Sequence, residues 1–434
     1  MHDTGEKRPR VLIQTLGCKV NQYDSERLRT LLLQRGYLSA RDSDEDAPDL
    51  IIVNTCSVTS ESDRKGRQLI RKLIRHHPQA RVMVTGCYAQ RKPGEIENIS
   101  GVDEVVPIEA QEQWAERLAE ILGWGCKDQD ALWDLGGGID IFEEHTRAFV
   151  KIQDGCELKC TFCSIPASRG RARSRSIPEV LAECRNLIRR GYPEIVLCGV
   201  CLGHFGKGQD FDLADLLREM IELDGIRRIR ISSLEPQDVT DPLLDMMAGA
   251  SEPLCPHLHL PLQSGSNAVL RRMKRPYTFD FFLERIERAR KLLPHFEIST
   301  DIMVGFPGET DADFEQTLQS VALCRFSKVH AFRFSVREET PAARMKGHLS
   351  PQEIEARRQA LDTVALEIAQ QVKQAYIGIT LPVLNETAES QNGTGFTPNY
   401  LRADFRSPRP LARGDVVPVR FTSLEKGRLQ GIAD

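Results

Sequence analysis

A chain of 434 residues is longer than one ordinary domain and predicts about two or three. Its 41% hydrophobic and 28% charged residues exclude a disordered or fibrous protein, and its formal net charge of -4 excludes a surface that binds polyanions wholesale. Any nucleic-acid contact has to come from local basic patches. The stretch from Met1 to Arg10 is polar and no run of about 18 apolar residues occurs, so the expectation is a cytoplasmic protein with no membrane partner. Its twelve cysteines are then reduced, and metal or catalytic use comes before disulfides.

In chain order, Val11 to Leu16 reads as a strand, about Gln22 to Arg35 as a helix stopped by Gly36, and Leu50 to Asn54 as a second strand. Ser60 to His76 follows as a helix ended by Pro78, then Arg81 to Thr85 as a third strand. This alternation predicts a parallel α/β sheet. Near Gly123 to Arg147 the periodicity dissolves into Gly136-Gly137-Gly138 and scattered charges, which reads as a linker. A second alternating series places strands at Phe149 to Ile152, Ile195 to Cys198, Arg228 to Ser232, Leu258 to Leu260, Ile298 to Val304 and Val329 to Phe334. Helices such as Pro178 to Arg190 and Phe279 to Leu293 separate them, and six such βα units can curl into an incomplete barrel. Ser350-Pro351-Gln352-Glu353 is a capping box that opens a long helix to about Gln374. From Tyr376 onward, short β-rich runs broken by glycine and proline predict a small β-barrel. The expected fold class is α/β, divided into an N-terminal parallel sheet domain (1–125), a linker (126–147), a partial (βα)6 barrel (148–375) and a C-terminal β module (376–434).

Cys156, Cys160 and Cys163 form CxxxCxxC directly after the first barrel strand, where barrel active sites gather. An iron–sulfur cluster normally takes four protein thiolates, so three leave one iron open to an exogenous ligand such as S-adenosylmethionine. A zinc site completed by His145 or His204 is the alternative. Cys18, Cys56 and Cys87 each follow a successive strand of the first sheet, and in a parallel sheet those ends share one edge. That common position predicts a second three-cysteine cluster, although each thiol alone reads as buried packing. Cys126, Cys184, Cys198, Cys201, Cys255 and Cys324 read as packing, the CxxC of Cys198 and Cys201 included.

The stretch DGCELKCTFCSIPASRGRARSR around Cys156 to Arg175 resembles the cluster loop of the radical S-adenosylmethionine methylthiotransferases. LGCKVNQYDSE from Leu16, NTCSVT from Asn54, TGCYAQ from Thr85, HLPLQSGSNAVLRRMKR from His259 and DIMVGFPGET from Asp301 extend the resemblance over nearly the whole chain. It implies a methylthiotransferase domain, a partial radical barrel and a C-terminal TRAM module. It also implies two [4Fe-4S] clusters: an auxiliary one on Cys18, Cys56 and Cys87, and a radical one on Cys156, Cys160 and Cys163, which bind cofactor and act catalytically. Lys19 to Glu26 resembles the branch acting on N6-threonylcarbamoyladenosine beside the tRNA anticodon; other branches act on isopentenyladenosine or on an aspartate of a ribosomal protein. Cys198 and Cys201 depart from that branch.

Replacing an aromatic C–H with C–S is beyond a side-chain acid or base, so cofactors must supply the reactivity. The resemblance implies that a reducing electron donor feeds the radical cluster, which cleaves S-adenosylmethionine to a 5′-deoxyadenosyl radical, and that the auxiliary cluster holds the sulfur that is methylated and transferred. Ser233, Glu235 and Gln263 at strand ends are candidates to hold S-adenosylmethionine, with barrel-mouth hydrogen bonding as the plainer reading. Arg169, Arg171, Arg173 and Arg175, and a second knot of Arg271, Arg272, Lys274 and Arg275, are candidate contacts for an anticodon stem-loop, against the plainer reading of solvated faces. The C-terminal module, with seven Lys or Arg against six Asp or Glu, is only weakly basic, so Phe396, Tyr400 and Phe405 would have to help there. A non-catalytic iron–sulfur redox sensor that binds RNA is the reading from another class. Oligomeric state is not legible.

Overall fold

The computed structural model describes residues 8–42, 47–108, 138–139, 142, 145–250, 252–388 and 390–433. Most of the expected linker, and Cys126 with it, lies outside these residues. The described chain divides into two compact units, one from residues 1–143, 154–158 and 163–186, the other from 144–153, 159–162 and 187–434.

The first unit is built on a five-stranded, all-parallel sheet in the order β2-β1-β3-β4-β5, with β1 Arg10–Thr15, β2 Leu38–Ser39, β3 Leu50–Thr55, β4 Arg81–Gly86 and β5 Glu104–Val105. The central β3 is buried at every residue, as expected of a parallel strand covered on both faces. Its Ile51 and Val53 pack with Leu12, Ile70 and Leu73 on one side, and Leu50 and Ile52 with Val11, Ile13 and Met83 on the other. The register pairs Thr15 with Asn54 and Asn54 with Thr85, so the C-terminal ends of β1, β3 and β4 finish level.

In the second unit the six expected barrel strands form, with bounds shifted by one or two residues. They are β6 Arg147–Lys151, β9 Glu194–Cys198, β10 Arg228–Ile231, β11 His257–His259, β12 Glu297–Val304 and β13 Lys328–Arg333; two-residue strands β7 Gln153–Asp154 and β8 Arg173–Ser174 intervene in sequence. They make two parallel three-stranded sheets, β10-β9-β6 and β11-β12-β13, joined by single bridges from Ile229 to Leu254 and Ser233 to His259. Ser350 caps the helix Pro351–Gln374 through the expected box with Glu353. Leu361, Ala365, Ala369 and Val372 of that helix form a buried stripe at helical spacing. The C-terminal strands β14 Thr380–Asn385, β15 Ser390–Phe396, β16 Arg402–Leu411, β17 Val416–Glu425 and β18 Arg428–Ala433 close into a small barrel. Its core joins Val383, Ala403, Phe405, Val419, Phe421 and Leu429. Among the described residues no helix is long and apolar enough to cross a membrane.

Candidate functional site

The first unit brings Cys18, Cys56 and Cys87 to one edge of its sheet. Cys18 is the N-cap of the helix Lys19–Gln34, Cys56 directly follows β3, and Cys87 opens the short helix Cys87–Arg91 after β4. Adjacent strands lie about 4.8 Å apart, so three level strand ends hold thiols within the span of one cluster. Two glycines make the approach feasible. Gly86, at φ 95°, lies where a Cβ would collide with the Thr55 carbonyl and the Asn54 side chain, and a Cβ on Gly17 would sit 3.0 Å from that of Cys56.

Asn21 stands at the centre of this edge and is fully buried. Its amide donates to the carbonyls of Leu16 (2.9 Å) and Thr55 (3.0 Å). Its Oδ1 lies 3.9 Å from the Cys18 sulfur and 3.8 Å from the Cys87 sulfur. Burial pushes the Cys56 thiol up, and it pushes Cys87 up to about 11 against the pull of the Arg169 guanidinium. Such thiols release protons only when a metal takes their place.

The donor set fits a cluster better than a single ion. Tetrahedral zinc with bonds near 2.3 Å would hold its sulfurs about 3.8 Å apart. Among the described residues, the one His/Cys/Asp/Glu group whose ligand atoms all lie within 4.8 Å of one another is His259, Asp301 and His330, and it contains no cysteine. The zinc alternative, with His145 or His204 completing the second cysteine set, gains nothing from this arrangement. That three-residue group sits on β11, β12 and β13. His259 already has Ser299 Oγ at 3.0 Å from Nδ1 and Asp301 Oδ1 at 3.4 Å from Nε2, so it is satisfied without an ion.

Of the second set, Cys156 and Cys163 belong to the first unit and Cys160 to the second. Cys160 is buried, with the Arg275 guanidinium 3.2 Å from its sulfur. Arg275 also pairs with Glu235 and donates to the Tyr277 hydroxyl at 2.9 Å. The next residue, Thr161, is tied to the same segment, its N–H donating to the Met273 carbonyl (3.0 Å) and its hydroxyl to that of Arg272 (2.9 Å). Burial raises the Glu235 carboxyl and lifts Asp238 to about 6. Ser233 and Gln263 lie half-buried at strand ends, Ser233 bridged to His259 and Gln263 to Ile302. Gln263 adopts φ 68°, a left-handed conformation uncommon for a non-glycine residue. Cys198 and Cys201 are both buried, unlike an accessible redox pair.

The basic runs divide in a way the sequence does not reveal. Arg171, Arg173, Arg271 and Lys274 are exposed, as a nucleic-acid contact requires. Arg169 is instead buried against Asp24 and Asp154, Arg175 bonds Glu183 and the Tyr23 hydroxyl, and Arg275 is buried as described. Arg169 and Arg275 are thereby withdrawn from any RNA-facing surface, while half-buried Arg175 is engaged by an internal acid. Sequence reasoning also left Asn21 without a site role and read Asp24 only as part of a branch signature. The available signal was a helix that puts Asn21, Asp24 and Ser25 where a core-facing stripe should be apolar.

Comparison with known proteins follows the same lines. Residues 150–321 match the Radical SAM superfamily and residues 10–107 match the Uncharacterized protein family UPF0004. The threonylcarbamoyladenosine tRNA methylthiotransferase MtaB of Bacillus subtilis is 38% identical over 427 residues, covering 95% of this chain and 93% of the relative. The protein of that name from Thermotoga maritima is 37% identical, covering 98% and 97%. A tRNA-2-methylthio-N(6)-dimethylallyladenosine synthase of Pelotomaculum thermopropionicum is 35% identical, covering 98% and 97%. Among solved structures, the radical S-adenosylmethionine methyltransferase TsrM of Kitasatospora setae superposes with a TM-score of 0.57 at 16% identity over 78% of this chain and 77% of that one, a likeness of fold. The chain therefore belongs to the radical S-adenosylmethionine methylthiotransferases, a family whose chemistry implies a [4Fe-4S] cluster and S-adenosylmethionine.

Proposed function

We propose that this protein converts N6-threonylcarbamoyladenosine beside the anticodon of tRNA into its 2-methylthio derivative. The observation that carries the reading is the near-full-length likeness to relatives named for that activity, in a chain that gathers Cys18, Cys56 and Cys87 at one sheet edge. Cys156, Cys160 and Cys163 would hold the radical cluster and Cys18, Cys56 and Cys87 an auxiliary one; when bound, these clusters and S-adenosylmethionine supply the radical and sulfur chemistry of the C–H to C–S exchange. In this reading the barrel and the first sheet act as separate domains, 148–375 and 1–125, with the C-terminal module 376–434 binding RNA, in the cytoplasm and served by an external electron donor.

The chain's own residues orient and insulate. Arg275, fixed by Glu235 and Tyr277, holds a permanent positive charge against the Cys160 sulfur. Thr161, tied on both its N–H and its hydroxyl, keeps the cysteine loop from fraying. Ser233 and Gln263 are the polar groups offered for S-adenosylmethionine. Exposed Arg171, Arg173, Arg271 and Lys274 suit phosphates of a stem-loop whose unstacked base enters the site.

The dimethylallyl substrate is the second reading, favoured by the 35% identity to a synthase named for it. Anaerobically reconstituted enzyme, given S-adenosylmethionine, a low-potential reductant and stem-loops bearing one or the other adenosine, separates the two. The account expects methylthiolation of the threonylcarbamoyl stem-loop alone. Reaction confined to the dimethylallyl stem-loop overturns it, and no S-adenosylmethionine cleavage with either points to the non-catalytic sensor.

A further inference from the structure

Arg169 is the most enclosed cation at the first cysteine edge, its side chain 1% exposed. One guanidinium nitrogen bonds both carboxylate oxygens of Asp154, at 3.1 and 3.0 Å. The other bonds Asn21 Oδ1 at 2.6 Å and Asp24 Oδ2 at 3.0 Å. That Asn21 oxygen is the atom lying between the sulfurs of Cys18 and Cys87, so the guanidinium is one hydrogen-bonded atom away from both. All these residues lie in the first unit. Two carboxylates more than satisfy one guanidinium, so they alone do not explain its bond to the asparagine oxygen that lies against the sulfurs. An arginine cannot lose its proton here, and its planar fork fixes where the charge sits.

We propose that Arg169 is the positioning residue that sets the reduction potential of the cluster on Cys18, Cys56 and Cys87, with Asp24 and Asp154 aiming it; this rests on the reading of those three cysteines as cluster ligands. One-electron reduction of a [4Fe-4S] cluster by an added reductant makes and breaks no bond but adds one negative charge. A fixed cation held beside the ligand sulfurs stabilises that reduced form more than the oxidised one, and burial keeps water from screening the effect. Removing the cation must lower the potential. Removing the facing charge of Asp24 must raise it.

The test uses the full chain carrying Cys156→Ala, Cys160→Ala and Cys163→Ala, so that one cluster remains, reconstituted without oxygen and titrated while the reduced cluster is followed by electron paramagnetic resonance. In Arg169→Gln the reduced-to-oxidised ratio at the parent's midpoint falls about tenfold, the scale of a lost partner around a metal ligand. Asp24→Asn moves the same ratio upward, and Arg169→Lys, which keeps the charge, falls less than Arg169→Gln. Opposite signs are the signature, because a merely structural loss would not reverse with the sign of the charge removed. If Arg169→Gln does not fold, Asp24→Asn decides alone: an unmoved or lowered midpoint overturns the inference. Midpoints that stay put or shift together in both variants overturn it as well. A parent chain that binds no cluster removes the ligand reading itself, and this inference with it.

Discussion

Replacing Arg230 by alanine isolates one of the contacts that pin the C-terminal barrel to the radical barrel. Arg230 on β10 is 2% exposed and lies 2.6 Å from Glu194 on β9, which is fully buried. Its guanidinium also bonds the carbonyls of Pro398 (2.8 Å) and Thr397 (3.4 Å), and lies 4.5 Å from the centre of the Tyr400 ring. Removing it leaves a buried carboxylate without its main partner, a loss of about 3–5 kcal/mol. Arg228, 3.6 Å from Glu194, stays to take up part of the charge and sets the loss toward the lower end, about 3 kcal/mol. Against a total stability of roughly 5–15 kcal/mol, the change is easily measured. Urea denaturation followed by circular dichroism should show a lower midpoint, and proteolysis should open the segment between the helix Pro351–Gln374 and β14. Burial pushes the Glu194 carboxyl up, but Arg230 first, then Arg147 and Arg228, hold it below its ordinary value. A depressed acid contributes stability above its unfolded value and loses it as pH falls through the folded one, so the gap between wild type and Arg230→Ala narrows in acid. The double variant Glu194→Gln, Arg230→Met should recover part of the loss, since it removes the stranded carboxylate while Arg228 keeps its bonds to the Phe396 and Pro382 carbonyls. A loss below about 1 kcal/mol for Arg230→Ala, or a double variant worse than the single one, refutes the reasoning.

Gly86→Ala forces a Cβ into the Thr55 carbonyl at a positive φ, so it should cost about 1–3 kcal/mol and reduce the iron retained by the Cys156→Ala, Cys160→Ala, Cys163→Ala chain; iron analysis of matched preparations checks it. Burial lifts the Glu297 carboxyl to about 7 although the Tyr376 hydroxyl donates to it at 2.7 Å. A raised acid favours the folded state when protonated, so stability declines as pH rises from the ordinary carboxylate range through about 7. Glu297→Gln should therefore raise Tm at pH 8 and scarcely change it at pH 5, and equal shifts at both would contradict this. Substituting exposed Arg171 and Arg173 with Gln should weaken stem-loop binding and lower the slope of log affinity against log salt by about 2, one per lost phosphate contact; filter binding across salt concentrations reads it.

Much of this architecture is legible from periodicity. The buried run Leu50–Thr55 and the amphipathic helix Ser60–His76 carry strong signals, and Ser350 with Glu353 announces the long C-terminal helix. The strand-end positions of Cys18, Cys56 and Cys87 follow from parallel topology, because right-handed crossovers return every strand to the same edge. Helices of five residues, such as Cys87–Arg91 and Pro93–Glu97, escaped because they complete little more than one turn. The arginines escaped for a different reason. A run of basic residues reads as one face, whereas Arg169 and Arg171, two positions apart, end as the core of a buried network and an exposed side chain. Only tertiary structure brings Asp24 across 145 residues to Arg169, and no local pattern encodes that pairing.

The most direct measurement is mass spectrometry of nucleosides from bulk tRNA of a strain lacking this protein, complemented with the wild-type chain or with Cys160→Ala. The account predicts that 2-methylthio-N6-threonylcarbamoyladenosine disappears on deletion, returns with the wild type and stays absent with the variant. A strain whose 2-methylthio-N6-threonylcarbamoyladenosine is unchanged by the deletion contradicts it.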